Sequence, residues 1–284
     1  MINKPNLSPE TIRNDIKQAY KNIYNVSDTE LADTVLQDLT TLFSGGMPGF
    51  LKCDTGYHDL LHTLQVVPPF IGIIDGWNKS ERRPAISRES FDNGIIAVLL
   101  HDTGYIKTGT DSAGTGAKYA FVHTKRSAEF AARYLAQIGF GAGRIASVQN
   151  IIMCTGVRIE FEHIRFHSEE ERIVGYALGT ADLIGQMSAP DYLEKLPVLY
   201  REFEEAYRYE GSDKLSQMGM VVFNNADDLI SKTPYFFEVV VKKHFENMGS
   251  VHECLALHFP DSRNHYLEEI EENIKKIKSY LARQ

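Results

Sequence analysis

Cysteine is scarce in this chain: Cys53, Cys154 and Cys254 are scattered over 284 residues, with no CxxC pair. An odd number at such spacing cannot complete a disulfide framework, which favours a reducing compartment. Long apolar runs are missing too. The stretch "GIIAVLL" at 94–100 falls far short of the roughly 20 residues that a membrane span needs. The opening "MINKPNLSPETIRNDI" lacks the apolar segment of a secretory signal. Positive charge is in deficit, with 30 Lys and Arg against 38 Asp and Glu and a pI near 5.7, which argues against a nucleic-acid partner. A small phosphate ligand stays compatible with this balance, because a metal ion can supply positive charge locally. The expectation is a soluble cytoplasmic protein without membrane contact, with a homodimer left open.

Convincing period-2 strands, internal repeats and composition breaks are also absent, which leaves helical periodicity as the dominant signal. Ser8 before Pro9 and Glu10 reads as an N-cap with proline at the first helical position, opening a helix to about Asn25. Further helices are predicted at about 28–43, 57–74, 91–100, 119–138, 142–154, 169–187, 191–209, 213–247 (broken near Pro234) and 264–282. "DGWNKSERRPAISRES" reads as a connector, and the glycine-rich "KTGTDSAGTGAK" as a mobile surface loop. That loop lacks the GxxxxGK[ST] order of a phosphate-binding P-loop. The predicted fold class is all-α: a single domain over 1–284, with a bundle core at about 51–210 and helical extensions on both sides.

Three short stretches carry chemistry. "YHDLLHTLQV" places His58 and His62 four residues apart, one turn on a helix face. His101-Asp102 closes the apolar run 94–100, where a carboxylate must be capped, hydrogen-bonded or bound to a cation. Asp182 in "GYALGTADLIGQM" is a lone acid among small and apolar residues, either a satisfied buried carboxylate or a metal ligand. His62, His101, Asp102 and Asp182 together make a mixed N/O donor set suited to a divalent first-row metal or Mg²⁺. A zinc-protease reading of the first stretch fails for lack of the general-base glutamate, since Asp59 stands in its place and reaches less far.

"YHDLLHTLQV", "LLHDTGY" and "GTADLIGQM", in that order, resemble the HD-domain superfamily of metal-dependent phosphohydrolases. The first is especially similar to the "YHNxxHAxxV" motif of class I cyclic-nucleotide phosphodiesterases. The resemblance spans about Tyr57 to Phe203. It implies that His62 and His101 are metal-binding histidines, that Asp102 bridges two ions, and that Asp182 is the distal metal aspartate. It further implies that His58 protonates the leaving oxygen, and that His123 resembles an additional histidine used for a second metal. One or two divalent ions (Mn, Mg, Fe, Ni, Co or Zn) and a nucleotide-derived phosphomonoester or cyclic phosphodiester substrate follow from the same likeness. Lys125 and Arg126 could hold a phosphoryl group, although basic residues on a helix are more often solvated.

The chain departs from these families at three points. "NIIMCTG", with Met153 and Cys154, stands where binuclear HD proteins often carry a further histidine. "HDTGYIKTG" lacks the third histidine of the phosphodiesterase pattern "HDxxHPGxxN". No purine-binding glutamine motif is evident near the C-terminus, with Gln186 and Gln217 as stand-ins. His163 and His167 form a second pair four apart, expected on a solvated face or at the site entrance. The rival readings are an HD-type di-iron oxygenase and a catalytically silent ligand-sensing domain.

Overall fold

The computed structural model describes residues 7–156, 161–211, 215 and 221–283. Helices α1 (Pro9–Tyr24) and α2 (Glu30–Phe43) come first. Ser8 and Thr11 close the α1 N-terminus reciprocally, and Asn25 ends that helix in the left-handed conformation. Then come α3 (Leu60–Lys79), α4 (Arg88–Leu100), α5 (His123–Gln137), α6 (Ala142–Ile152), α7 (Glu169–Met187) and α8 (Tyr192–Glu210). The C-terminal part holds α9 (Ala226–Tyr235), α10 (Lys242–Asn247), α11 (Leu255–His258) and α12 (His265–Leu281). Among the described residues the β-type pairing is one isolated bridge between Phe50 and Thr108, so the fold is an all-α bundle, as the periodicity predicts. No helix among those residues is long and apolar enough to cross a membrane.

α3 runs through the middle of the bundle, packed against α7, α1, α4 and the turn Val251–Cys254 that leads into α11. It is buried almost all round from His62 to Trp77. Gly76 permits the crossing, since a Cβ there would stand 1.8 Å from the Cys254 carbonyl oxygen. α4 is likewise buried along 93–100, so the apolar run does form a core helix.

Four local expectations are corrected. α3 starts at Leu60 rather than Tyr57, because the Asp59 side chain accepts from the His62 N–H and caps the helix there. His58 therefore precedes the helix and does not share a helical face with His62. At its other end α3 extends to Lys79, taking in part of the predicted connector despite Pro68 and Pro69. The glycine-rich segment is tied to Asp54 near both ends: buried Lys107 pairs with it at 2.8 Å, and the Gly116 N–H donates to it at 2.7 Å, while Lys118 pairs with Asp111 inside the segment. Thr115 in its middle hydrogen-bonds Glu205 through both its N–H and its hydroxyl.

The predicted helix 213–247 falls partly outside the described residues. Of its described residues Leu215 is helical and 221–225 are not; a helix runs from Ala226, and the break comes after Pro234 as a π-helical turn, Phe236–Val241.

Candidate metal centre

The end of α4 builds one side of the centre. His101 still has helical backbone angles, Asp102 does not, and Thr103–Tyr105 form a 3₁₀ turn. The His101 Nδ1 lies 2.7 Å from the Val98 carbonyl, which can only accept, so Nδ1 carries the proton and Nε2 presents its lone pair. His123, the first residue of α5, repeats the arrangement with its Nδ1 2.7 Å from the Ala120 carbonyl. His62 comes from the first turn of α3, and Asp182 from the middle of α7.

These side chains converge. His62 Nε2 lies 3.3 Å from Asp102 Oδ2 and 3.4 Å from Asp182 Oδ1. His101 Nε2 lies 3.4 and 3.8 Å from the same two oxygens, and His123 Nε2 is 3.8 Å from Asp102 Oδ1. Donors held about 2.1 Å from one ion stand about 3.0–3.4 Å apart in octahedral or tetrahedral order, close to what the shorter of these distances describe. His101 Nε2, Asp102 Oδ2 and Asp182 Oδ1 are buried without a hydrogen-bond partner. Three orphaned ligand atoms facing one point would be costly unless a cation fills it. Clustered His and Asp residues here could hold a metal ion.

Charge follows the same logic. Burial opposes ionisation of Asp102, yet the imidazoles of His101, His62, His58 and His123 outweigh it and hold the carboxyl well below its usual range. Burial likewise works against Asp182, and His62 and His101 lower it. His123 is lowered chiefly by burial.

Beside this cluster stands His58. Its Nδ1 is 2.6 Å from Glu202 Oε2, and Glu202 Oε1 accepts from the Tyr57 and His58 amides at 2.6 and 3.3 Å. Burial would depress this imidazole, but the Glu202 carboxylate, with Asp102 and Asp182 beyond it, raises it from 6.5 to about 9. The His58 ring also stacks on Tyr105 at 4.4 Å.

Comparison with known proteins accords with the architecture. The family model described as Npun_R2479-like matches residues 2–257. The chain belongs to the Npun_R2479-like family. No curated protein matches the sequence of this family member. Among solved structures it is similar to the phosphodiesterase domain of the RhoPDE fusion protein from the choanoflagellate Salpingoeca rosetta, at 14% identity and a TM-score of 0.55, over 98% of this chain and 92% of that one. A second structure, the phosphodiesterase domain of the rhodopsin phosphodiesterase from the same organism, also shows 14% identity and a TM-score of 0.55, covering 97% and 89%. The Npun_R2479-like chain thus has a phosphodiesterase-like fold.

The other residues singled out in the sequence lie elsewhere. Lys125 is exposed on α5. The Arg126 guanidinium donates to the Gly104 and Ile106 carbonyls at 2.7 and 3.1 Å and lies 3.5 Å over the Tyr119 ring, so it braces the turn after Asp102. Buried Cys154 donates to the Asn150 carbonyl at 3.4 Å, and its thiol is pushed up by burial. Exposed His163 and His167 belong to a short turn and a loop before α7, and His167 Nδ1 lies 3.0 Å from Glu171. Gln186 is tied to the Tyr57 hydroxyl at 3.0 Å; Gln217 lies outside the described residues.

Sequence reasoning missed Glu202, Tyr105 and His244. Glu202 had a readable signal: it falls in helical phase with Leu196, Leu199 and Ala206, putting a carboxylate on the buried face of α8. His244 on α10 is buried with an unpartnered Nε2, 5.5 Å from the Phe161 ring, and lowered chiefly by burial. Nothing in "KKHFEN" marks it.

Proposed function

We propose that this chain is an HD-type metal-dependent phosphohydrolase that cleaves a phosphomonoester or a cyclic phosphodiester, with a nucleotide-derived substrate. The carrying observation is the convergence of His101 Nε2, Asp102 Oδ2 and Asp182 Oδ1, buried and unpartnered, with His62 Nε2. His62, His101, Asp102 and Asp182 would hold the first ion, and His123 with the second oxygen of Asp102 a second. A divalent ion there supplies Lewis-acid activation of water and of the phosphoryl oxygens.

The chain's own residues do the rest. The aspartates stay ionised among the imidazoles, and the carbonyls of Val98 and Ala120 fix His101 and His123 with Nε2 toward the site. His58, held by Glu202 through Nδ1, has its other nitrogen free to give a proton to the departing alkoxide, a step worth about 10²–10⁴-fold. Its protonated form persists to about pH 9, so the acid is loaded at neutral pH. On this reading the chain is one all-α domain with its core at about 51–210.

The test is hydrolysis by chelated protein of bis(4-nitrophenyl) phosphate, 4-nitrophenyl phosphate and a nucleotide panel, with Mn²⁺, Mg²⁺, Co²⁺ or Ni²⁺ restored. Metal-dependent hydrolysis of at least one ester is expected. Two bound irons with oxygen-dependent turnover would instead establish the oxygenase, and a protein that binds no metal the silent sensor.

A further inference from the structure

Tyr105 occupies a position that the metal cluster does not explain. It is 2% exposed, and its ring stacks against two imidazoles, His58 at 4.4 Å with planes 12° apart and His123 at 4.6 Å and 19°. The stack is deliberate in its construction. Tyr105 ends the 3₁₀ turn after Asp102, and that turn is clamped to the start of α5. The Gly104 N–H donates to Ser127 Oγ at 2.8 Å, and Arg126 Nε to the Gly104 carbonyl at 2.7 Å. Gly104 has no Cβ, and one there would stand 2.0 Å from the His123 carbonyl oxygen. The approach that seats His123 on Tyr105 is therefore written into Gly104, Arg126 and Ser127.

We infer that Tyr105 is a positioning residue for the proton donor, its phenol ring fixing the plane of His58 relative to the metal corner that His123 supplies. This rests on the reading of His58 as that donor. Glu202 holds the imidazole by one hydrogen bond at Nδ1, which does not by itself fix the plane of the ring. A flat ring on one face removes this freedom, and a π face also suits an imidazolium. Because His123 stacks on the same phenol, the donor and the second-metal histidine share one platform, their centroids 6.1 Å apart. Both contacts are made by the ring. The hydroxyl is not needed for either.

The test compares methyl 4-nitrophenyl phosphate, whose leaving group departs without a proton, with methyl phenyl phosphate, whose leaving group needs one. His58→Asn, Tyr105→Leu, Tyr105→Met and Tyr105→Phe are assayed with Mn²⁺, and bound metal is measured for each. Tyr105→Leu is expected to lower kcat for the phenyl ester about 10²-fold, the low end of a general-acid contribution, while the 4-nitrophenyl ester falls far less and metal content is retained. Tyr105→Phe should restore the ratio between the esters. Tyr105→Met, similar in volume but not flat, should behave as Leu does and stands in for it if that variant does not fold. Equal loss on both esters, or a Phe variant as selective in its damage as the Leu variant, overturns the inference. If His58→Asn itself shows no preference between the esters, the donor reading has failed and the inference with it; if His58→Asn is selective and Tyr105→Leu is not, this inference alone has failed.

Discussion

Glu202 grips His58 twice, through the ring Nδ1 at 2.6 Å and through the amides of Tyr57 and His58. The pair crosses 144 residues of sequence and ties the segment before α3 to α8. Burial disfavours the charged imidazole, and the carboxylate more than offsets that, raising it to about 9. A general acid works only while protonated, so the rate should fall as pH rises through that value. Glu202→Gln removes the charge but keeps an acceptor. The alkaline limb of the kcat profile should then move to lower pH, with bound metal unchanged and kcat at pH 8 down by about 10–100-fold. An unmoved limb would mean that His58 is not the group titrating.

Asp59 is the hinge on which the first motif turns. Its carboxylate accepts from the His62 N–H at 2.9 Å, starting α3 between the two histidines. Asp59→Ala should cost about 1 kcal/mol of stability, visible as a lower thermal midpoint, while Asp59→Asn should keep most of it. Because the cap sits against a proposed ligand, the alanine variant should also bind Mn²⁺ more weakly by calorimetry. An alanine variant as stable as wild type would remove the cap from the account.

The metal corner and the proton donor should separate by mutation. Asp102 lies among four imidazoles and presents both oxygens to the site. Asp102→Ala is expected to abolish metal binding and hydrolysis together. His58→Ala should lower kcat on an unactivated ester by about 10²–10⁴-fold and leave metal stoichiometry intact. A His58→Ala protein without metal would make His58 a ligand and undo the assigned roles.

The sequence made most helices legible because apolar residues repeat at helical spacing and a cap such as Ser8 is a local signal. The proximity of His62, His101, Asp102 and Asp182 was also legible, since each is a polar residue beside apolar neighbours. The start of α3 was not, because His58 and His62 at i, i+4 look the same on a helix as across a capped boundary; only Asp59's side chain decides it. Glu202 and Tyr105 were hidden for another reason. Their meaning is a contact with His58, which depends on how distant helices pack rather than on any neighbouring residue.

Gly104 offers the sharpest test of that packing. The turn 103–105 is pressed so closely on the start of α5 that a Cβ on Gly104 would meet the His123 carbonyl oxygen at 2.0 Å and its carbon at 2.8 Å. Both atoms are backbone, so no rotamer change relieves the clash, and α5 or the turn must move. Gly104→Ala should therefore destabilise the fold by about 1–3 kcal/mol, the range for overpacking a close-packed site. The displacement falls on His123, whose Nε2 is 3.8 Å from Asp102, and it spares His62 and Asp182 on other helices. Metal titration should then lose its second equivalent before its first. Retention of full stoichiometry at wild-type stability would mean that the turn and α5 can separate freely, against the bracing by Arg126 and Ser127.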